Sequence, residues 1–269
     1  MSADTTHPVF DQPEDTSISV WRYLNTAKLL SLLLTRTLVY CRLDELPDPF
    51  EGRFTRRRLA KLAQIEEAIN AQSETPARRL PGFDSLIRCT AFVNCWCLQN
   101  AESHAQWRIY SGTEDGAAIK TSYSKLVDNL SSKDLLGLIR YIDYENDEIT
   151  SNNLLALAMH KRNVFEYERE VRIVRWGMAT GEEYDSSGHL PQIIDVPVDL
   201  EEMLDEIVIS PYAPNWYYDV VAQFVKQCGL RIPVVWSSMR AEPPEDYNPV
   251  SHEREKLIQQ ITANSSTRA

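Results

Sequence analysis

The chain has 269 residues, 43% of them hydrophobic and 25% charged, an ordinary balance for a soluble globular protein able to bury a sizeable core. Its formal net charge of -11 argues against broad electrostatic binding to nucleic acid or an anionic membrane and leaves only local basic patches for such partners. No apolar run is long enough to span a bilayer, Met1 to Asp15 lacks the pattern of a signal peptide, and five cysteines without disulfide spacing suit a reducing cytoplasm.

Residues 1–17 carry two prolines and four acidic residues and read as a disordered or loosely docked arm. Val20 to Leu24 reads as a first strand, Asn25-Thr26 caps a helix over Ala27 to Leu34, and Leu38 to Cys41 is a second strand. In Leu46-Pro47-Asp48-Pro49-Phe50-Glu51-Gly52 two prolines and a glycine specify a rigid turn, anchored by a buried Phe50. Arg53, Arg56, Arg57, Arg58 and Lys61 open a helix to Ala71 with Leu59, Leu62, Ile65 and Ile69 on its apolar stripe. Positive charge at a helix start opposes the helix dipole, so this run is either a solvated face or a contact for a phosphate-bearing partner. Residues 72–82 form a loop, and Ser85 to Leu98 reads as a core strand. Cys89, Cys95, Cys97 and His104 lack paired metal-ligand spacing, so the cysteines read as small buried hydrophobes and no metal is expected.

Asn100 to Ser103 is a polar turn into a short helix on which His104, Trp107 and Tyr110 share one face, either as a packing seam or to stack a planar ring. A strand follows at Gly116 to Lys120, then a helix at Ser124 to Leu130, a strand at Ile139 to Tyr144 and a helix at Asn153 to Asn163. Phe165 to Val174 reads as a strand entering a sheet, with Glu166, Glu168, Glu170 and Arg172 on one side where it is extended. Such a row of carboxylates faces water, is neutralised by arginines, or serves chemistry. Met178 to Gln192 is a polar loop and candidate flap; Ile193 to Val198 is an edge strand, and Asp199 to Leu204 a capped helical turn. Glu206 to Pro211 is a buried strand, Trp216 to Cys228 an amphipathic helix ended by Gly229, and Val234 to Ser237 closes the sheet. The organisation expected is a single α+β domain over residues 18–240 and a polar tail over 241–269 with a short helix near Glu253 to Ile261.

Five motifs in order, Trp21-Arg22-Tyr23-Leu24, Asp48 to Gly52, Cys95-Trp96 with Glu102-Ser103, Trp107 with Tyr110, and Phe165 to Arg172, resemble a bacterial domain family of unknown function, number 2971. That resemblance covers roughly residues 18–238 and implies no activity. A looser one is to the ADP-ribosyltransferase fold, through Arg22 on a first strand and Glu168-Arg169-Glu170 on a late one. It implies a mixed or antiparallel split sheet flanked by helices, with NAD as substrate. In that pattern Arg22 grips a phosphate or ribose of NAD. Glu170 bonds the nicotinamide-ribose hydroxyls and stabilises the developing cation, and Glu168 orients the acceptor. Tyr23, Thr90, Trp107 and Tyr110 complete the NAD contacts. Thr90 would stand in for a Ser-Thr-Ser-like strand that this chain lacks. The acceptor implied is protein or nucleic acid, in a bacterial defence or toxin-like role. The alternative is a non-enzymatic binding module in which the glutamates and arginines form a structural network. A magnesium-dependent hydrolase would need Asp44 or Glu51 to complete an oxygen shell.

Overall fold

The structure is a computed structural model that describes residues 2–71, 83–112, 115–177, 190–242 and 255–258. Its strands are β1 (Ser19–Asn25), β2 (Thr37–Arg42), β3 (Ala91–Leu98), β4 (Gly116–Ser122), β5 (Asp134–Leu138), β6 (Arg140–Ile142), β7 (His160–Arg162), β8 (Glu170–Trp176), β9 (Ile193–Pro197), β10 (Glu206–Ile209) and β11 (Val234–Trp236). Nine of them make one mixed sheet, and β6 and β7 pair separately in parallel. The α+β class is as expected.

The sheet is organised around β3. One edge of β3 pairs with β8 from Ala91↔Trp176 to Cys97↔Glu170, and β5 pairs with the far side of β8. The other edge is shared. Cys41 and Arg42 of β2 pair with Val93 and Phe92, whereas Val20 and Trp21 of β1 pair with Leu98 and Cys97. The β1 branch continues through β4 and β10 to β11, and the β2 branch ends at β9. The sheet therefore forks beside residues 94–96. A fork leaves strand backbone needing partners. Here Asn94, 1% exposed, donates from Nδ2 to the Val39 carbonyl at 2.8 Å and accepts from Trp96 Nε1 at 2.8 Å.

Helix α1 (Thr26–Thr35) connects the two branches. Asn25 caps it by accepting from the Lys28 N–H, and it buries Leu29, Leu32 and Leu33 in the main core with Tyr40, Phe92, Ile119 and Ile173. Helices α2 (Arg56–Asn70), α3 (Phe83–Thr90), α4 (His104–Tyr110), α5 (Tyr123–Asp128), α6 (Leu155–Ala158), α7 (Leu200–Met203) and α8 (Asn215–Gln227) complete the described α-helices. The last of these buries Tyr217, Val221 and Val225 in the same core.

Several expected elements are redrawn. Ser85 to Thr90 is helical rather than strand, with Ile87 buried and Arg88 Nη1 donating to the Pro49 and Glu51 carbonyls. The helix expected over Asn153 to Asn163 is only α6, because Lys161 and Arg162 leave it as β7 to meet carboxylates. Phe50 is 37% exposed instead of buried, packing its ring edge-on against Tyr144 and under the Arg162 guanidinium. Residues 2–17 dock along the outer edge of β5, burying Ala3, Val9 and Phe10, because a bare strand edge and an apolar groove are both covered that way. A Cβ on Gly137 would lie 2.8 Å from the Phe10 Cβ, so only glycine admits the arm there. The flap expected over Met178 to Gln192 and the loop over 72–82 lie almost wholly outside the described residues. Of the tail, residues 241–242 and 255–258 are described, the latter helical and exposed.

Candidate active site

The row of glutamates does not enter the sheet as a plain strand. Asn163–Glu168 is a 3-10 turn, Arg169 takes the left-handed conformation at φ 44°, and β8 starts only at Glu170. A non-glycine residue at positive φ costs about 1–2 kcal/mol, so the surroundings must enforce it. They do: the Arg169 carbonyl accepts from Leu98 N–H at 2.8 Å, and the Glu170 N–H donates to Tyr141 Oη at 2.8 Å. Glu166 is left exposed outside the site, while Glu168 and Glu170 both turn onto Lys161.

Lys161 Nζ lies 2.5 Å from Glu168, 3.1 Å from Glu170 and 3.4 Å from Glu51. Arg172, fully buried, places Nε 2.6 Å from Glu170 and Nη2 2.6 Å from Glu51 in an ion pair, and donates from Nη1 to the Ala158 carbonyl at 2.8 Å. Tyr110 Oη donates to Glu168 at 2.7 Å. The cluster thus buries three carboxylates against two cations, leaving one net negative charge. Burial by itself would raise the Glu170 carboxyl, but Arg172 and Lys161 override it and hold the group down at about 2. Burial opposes the charge on Lys161 and Arg172, yet Glu170 and Glu51 raise both above their ordinary values. Burial and then Glu168 push the Tyr110 phenol up, so it stays a hydrogen-bond donor. Desolvation and the neighbouring carboxylates push Cys97 up to about 12 and Cys95 higher still, so neither is a nucleophile.

Glu170 and Arg169 open on a cleft of about 620 Å³ also lined by Gln99, Asn100, Glu102 and Tyr141. That size lies within the roughly 300–1,000 Å³ of small-molecule sites. Arg169 is exposed and forms no ion pair or side-chain hydrogen bond among the described residues.

Of the residues singled out from the sequence, Glu168, Glu170 and Tyr110 come together. Trp107 does not join them as an open platform: it is fully buried and donates from Nε1 to Glu102 at 2.9 Å. Tyr23 is buried edge-on against it, ring centroids 4.8 Å apart, and accepts from the Ser103 N–H. Thr90 sits at the far end of β3, where its hydroxyl bonds the Leu86 carbonyl and accepts from Trp176 Nε1. Arg22 leaves β1 where the sheet forks, on the opposite face from Trp21, which is in register with Cys97 and through it with Glu170. It is half-buried, and its side chain has no ion pair or hydrogen bond among the described residues. Burial lowers its pKa, with Cys95 and Tyr40 opposing. No ion pair or hydrogen bond joins Arg22 to Glu170. From the sequence, Lys161 falls inside an expected helix, and Glu51 reads as a turn residue or as a ligand of a magnesium-dependent hydrolase. The legible signal was an acid held in a Pro-rich turn, plus a Lys-Arg pair just before the glutamates.

Among the described residues no group of three or more His, Cys, Asp or Glu side chains is arranged to hold a metal, and no helix is long and apolar enough to cross a membrane. No family model matches the chain, and no curated protein does. Solved structures of DarT from Thermus sp. 2.9 are similar to it. The complex with NAD+ is 12% identical, with 86% of this chain and 100% of that one covered, at a TM-score of 0.38. The complex with ADP-ribosylated ssDNA is 13% identical, covering 84% and 96%, at 0.37.

Proposed function

We propose that the chain is an NAD-consuming ADP-ribosyltransferase-like enzyme whose acceptor is protein or nucleic acid, in a bacterial defence or toxin-like role in the cytoplasm. The observation that carries this reading is the buried cluster itself: Glu168 and Glu170 converge on Lys161, Glu170 also lines the cleft, and the cluster holds three carboxylates against two cations. Excess negative charge held in a dry site favours a cation developing beside it. In the reaction the bond between ribose C1′ and nicotinamide breaks, its electron pair leaves with nicotinamide, and an acceptor nucleophile bonds C1′ while its proton passes to Glu168. Glu170 would hold the ribose hydroxyls, and Tyr110, 43% exposed beside Glu168, is the aromatic placed to stack a ring. Arg169, exposed at the cleft and without an ion pair among the described residues, would take the pyrophosphate of NAD.

A second reading rests on the saturation of Glu170, both of whose oxygens are engaged by Lys161 and Arg172. On that reading the cluster is a structural ion-pair network in a binding module. Incubation with NAD labelled on its adenosine half decides between them. The enzyme releases nicotinamide and transfers label to a protein or nucleic-acid acceptor, and Glu168→Gln suppresses both. Wild-type protein that does neither across both acceptor classes leaves the network reading.

A further inference from the structure

Lys161 is 8% exposed and is the one cation that reaches all three carboxylates of the cluster. Arg172 reaches only Glu170 and Glu51, so among the described residues Lys161 is the cation paired with Glu168, whose other oxygen accepts from the Tyr110 hydroxyl. Lys161 also belongs to the short β7, locked in register to Tyr141, the residue whose hydroxyl receives the Glu170 N–H. Arg162 beside it is gripped by Asp48 at 3.0 Å, so the rigid Pro47–Gly52 turn fixes both ends of the Lys-Arg pair.

We propose that Lys161 is the positioning residue of the active site, whose ammonium holds the crowded carboxylates together and turns Glu168 and Glu170 toward one point beside the cleft that Glu170 lines. This rests on the transferase reading of that site. Two carboxylates this close, with Glu51 behind them, repel, and a buried carboxyl deprived of its counter-ion takes up a proton instead. The groups facing this point are Glu51, Asp48 and Arg162 from the turn and β7, Tyr110 from α4, Tyr141 from β6, Cys95 and Cys97 from β3, Tyr167 and Arg169 from the 3-10 turn, and Glu170 with Arg172 from β8. Of these, Tyr and Cys groups are pushed up by burial and stay neutral near pH 7, and Arg172 is raised above its ordinary value, which leaves a carboxyl to take up a proton there.

The test compares wild type with Lys161→Met and Lys161→Arg, reading NAD turnover and urea-denaturation stability from pH 5 to 9. In Lys161→Met a carboxyl acquires a folded-state pKa above its unfolded one, so the variant loses stability relative to wild type as pH rises from about 5 toward 8. Its turnover falls by about 100-fold at pH 7. The acid limb of its pH–rate profile moves up by about one pH unit or more, with little change in KM for NAD. Lys161→Arg, which keeps the charge on a different geometry, restores the acid limb but only part of the turnover. A stability gap between Lys161→Met and wild type that is the same at every pH overturns the proposal, whatever its size. If Lys161→Met does not fold, Lys161→Gln replaces it in the same comparison. Wild type that shows no NAD turnover removes the transferase reading alone, because the pH dependence of stability still decides whether Lys161 holds the carboxyl ionised.

Discussion

Glu170 shows how one side chain carries both the fold and the chemistry assigned to it. It is 4% exposed, and its oxygens are held by Arg172 at 2.6 Å and Lys161 at 3.1 Å. Removing one member of a buried ion cluster strands the others, at a cost of about 3–5 kcal/mol. Glu170→Gln should therefore lower the urea-denaturation stability by that amount and also reduce nicotinamide release by about 100-fold. A variant that loses stability while releasing nicotinamide at the wild-type rate would place Glu170 outside the reaction. Arg169 invites a different substitution. At φ 44° a glycine is relaxed where arginine is strained, so Arg169→Gly should gain about 1 kcal/mol in denaturation experiments, set against glycine's greater unfolded freedom. It also removes the exposed guanidinium from the cleft, and KM for NAD should rise while kcat changes less. A fall in stability would mean that the Arg169 side chain makes a contact that matters more than its backbone strain.

At the scale of elements, the arm over residues 2–17 is the part whose contribution is most easily measured. Phe10 is 3% exposed against Gly137, and Gln12 bridges the Leu136 carbonyl and Tyr123 Oη. Phe10→Ala should cost about 3–5 kcal/mol, the usual range for emptying a buried phenylalanine site. A loss below 1 kcal/mol, on the scale of about 0.5 expected for a surface change, would mean the arm is undocked in solution. Local signals found most helices and strands here, because capping and periodicity act over four residues or fewer. Asn25 does cap α1, and Val234–Trp236 does close one end of the sheet. They misjudged Ser85 to Thr90 and Asn153 to Asn163, where the apolar runs are short enough to suit either helix or strand. Tertiary pairing made those choices: Arg88 reaches back to the Pro49 turn, and β7 is drawn out to pair with β6.

For the whole molecule, the signs of the pKa shifts set its response to acid. The Glu170 carboxyl is depressed from 4.5 to about 2, so its stabilising contribution is complete above about pH 4.5 and is lost as pH falls through 2. Burial depresses the His160 imidazole below 6.5, so a folded molecule that keeps it neutral loses stability as pH falls below that value. Thermal unfolding should therefore show Tm falling in two stages, first from about pH 6.5 downward and again below about pH 4.5. His160→Gln should flatten the first stage without touching the second. A single-stage profile unchanged by that substitution would assign acid sensitivity to other groups.

The amino-acid order alone was enough for the α+β class, the strand–helix–strand start, the rigid turn at Asp48 to Gly52 and the importance of Glu168-Arg169-Glu170. These are matters of local chemistry, legible from period, caps and charge spacing. The membership of the site was not. Arg172, two residues from Glu170 on one strand, was legible as its partner, but Glu51 and Lys161 join Glu168 and Glu170 only through the turn before β3, the short β7 and the left-handed Arg169 backbone between the two glutamates. The same packing buried Trp107 and Tyr23 beneath α4, anchored Thr90 at the far end of β3 and left Arg22 in the fork of the sheet. Which charges share a low-dielectric space depends on contacts between residues remote in the chain, and no local pattern encodes that distance.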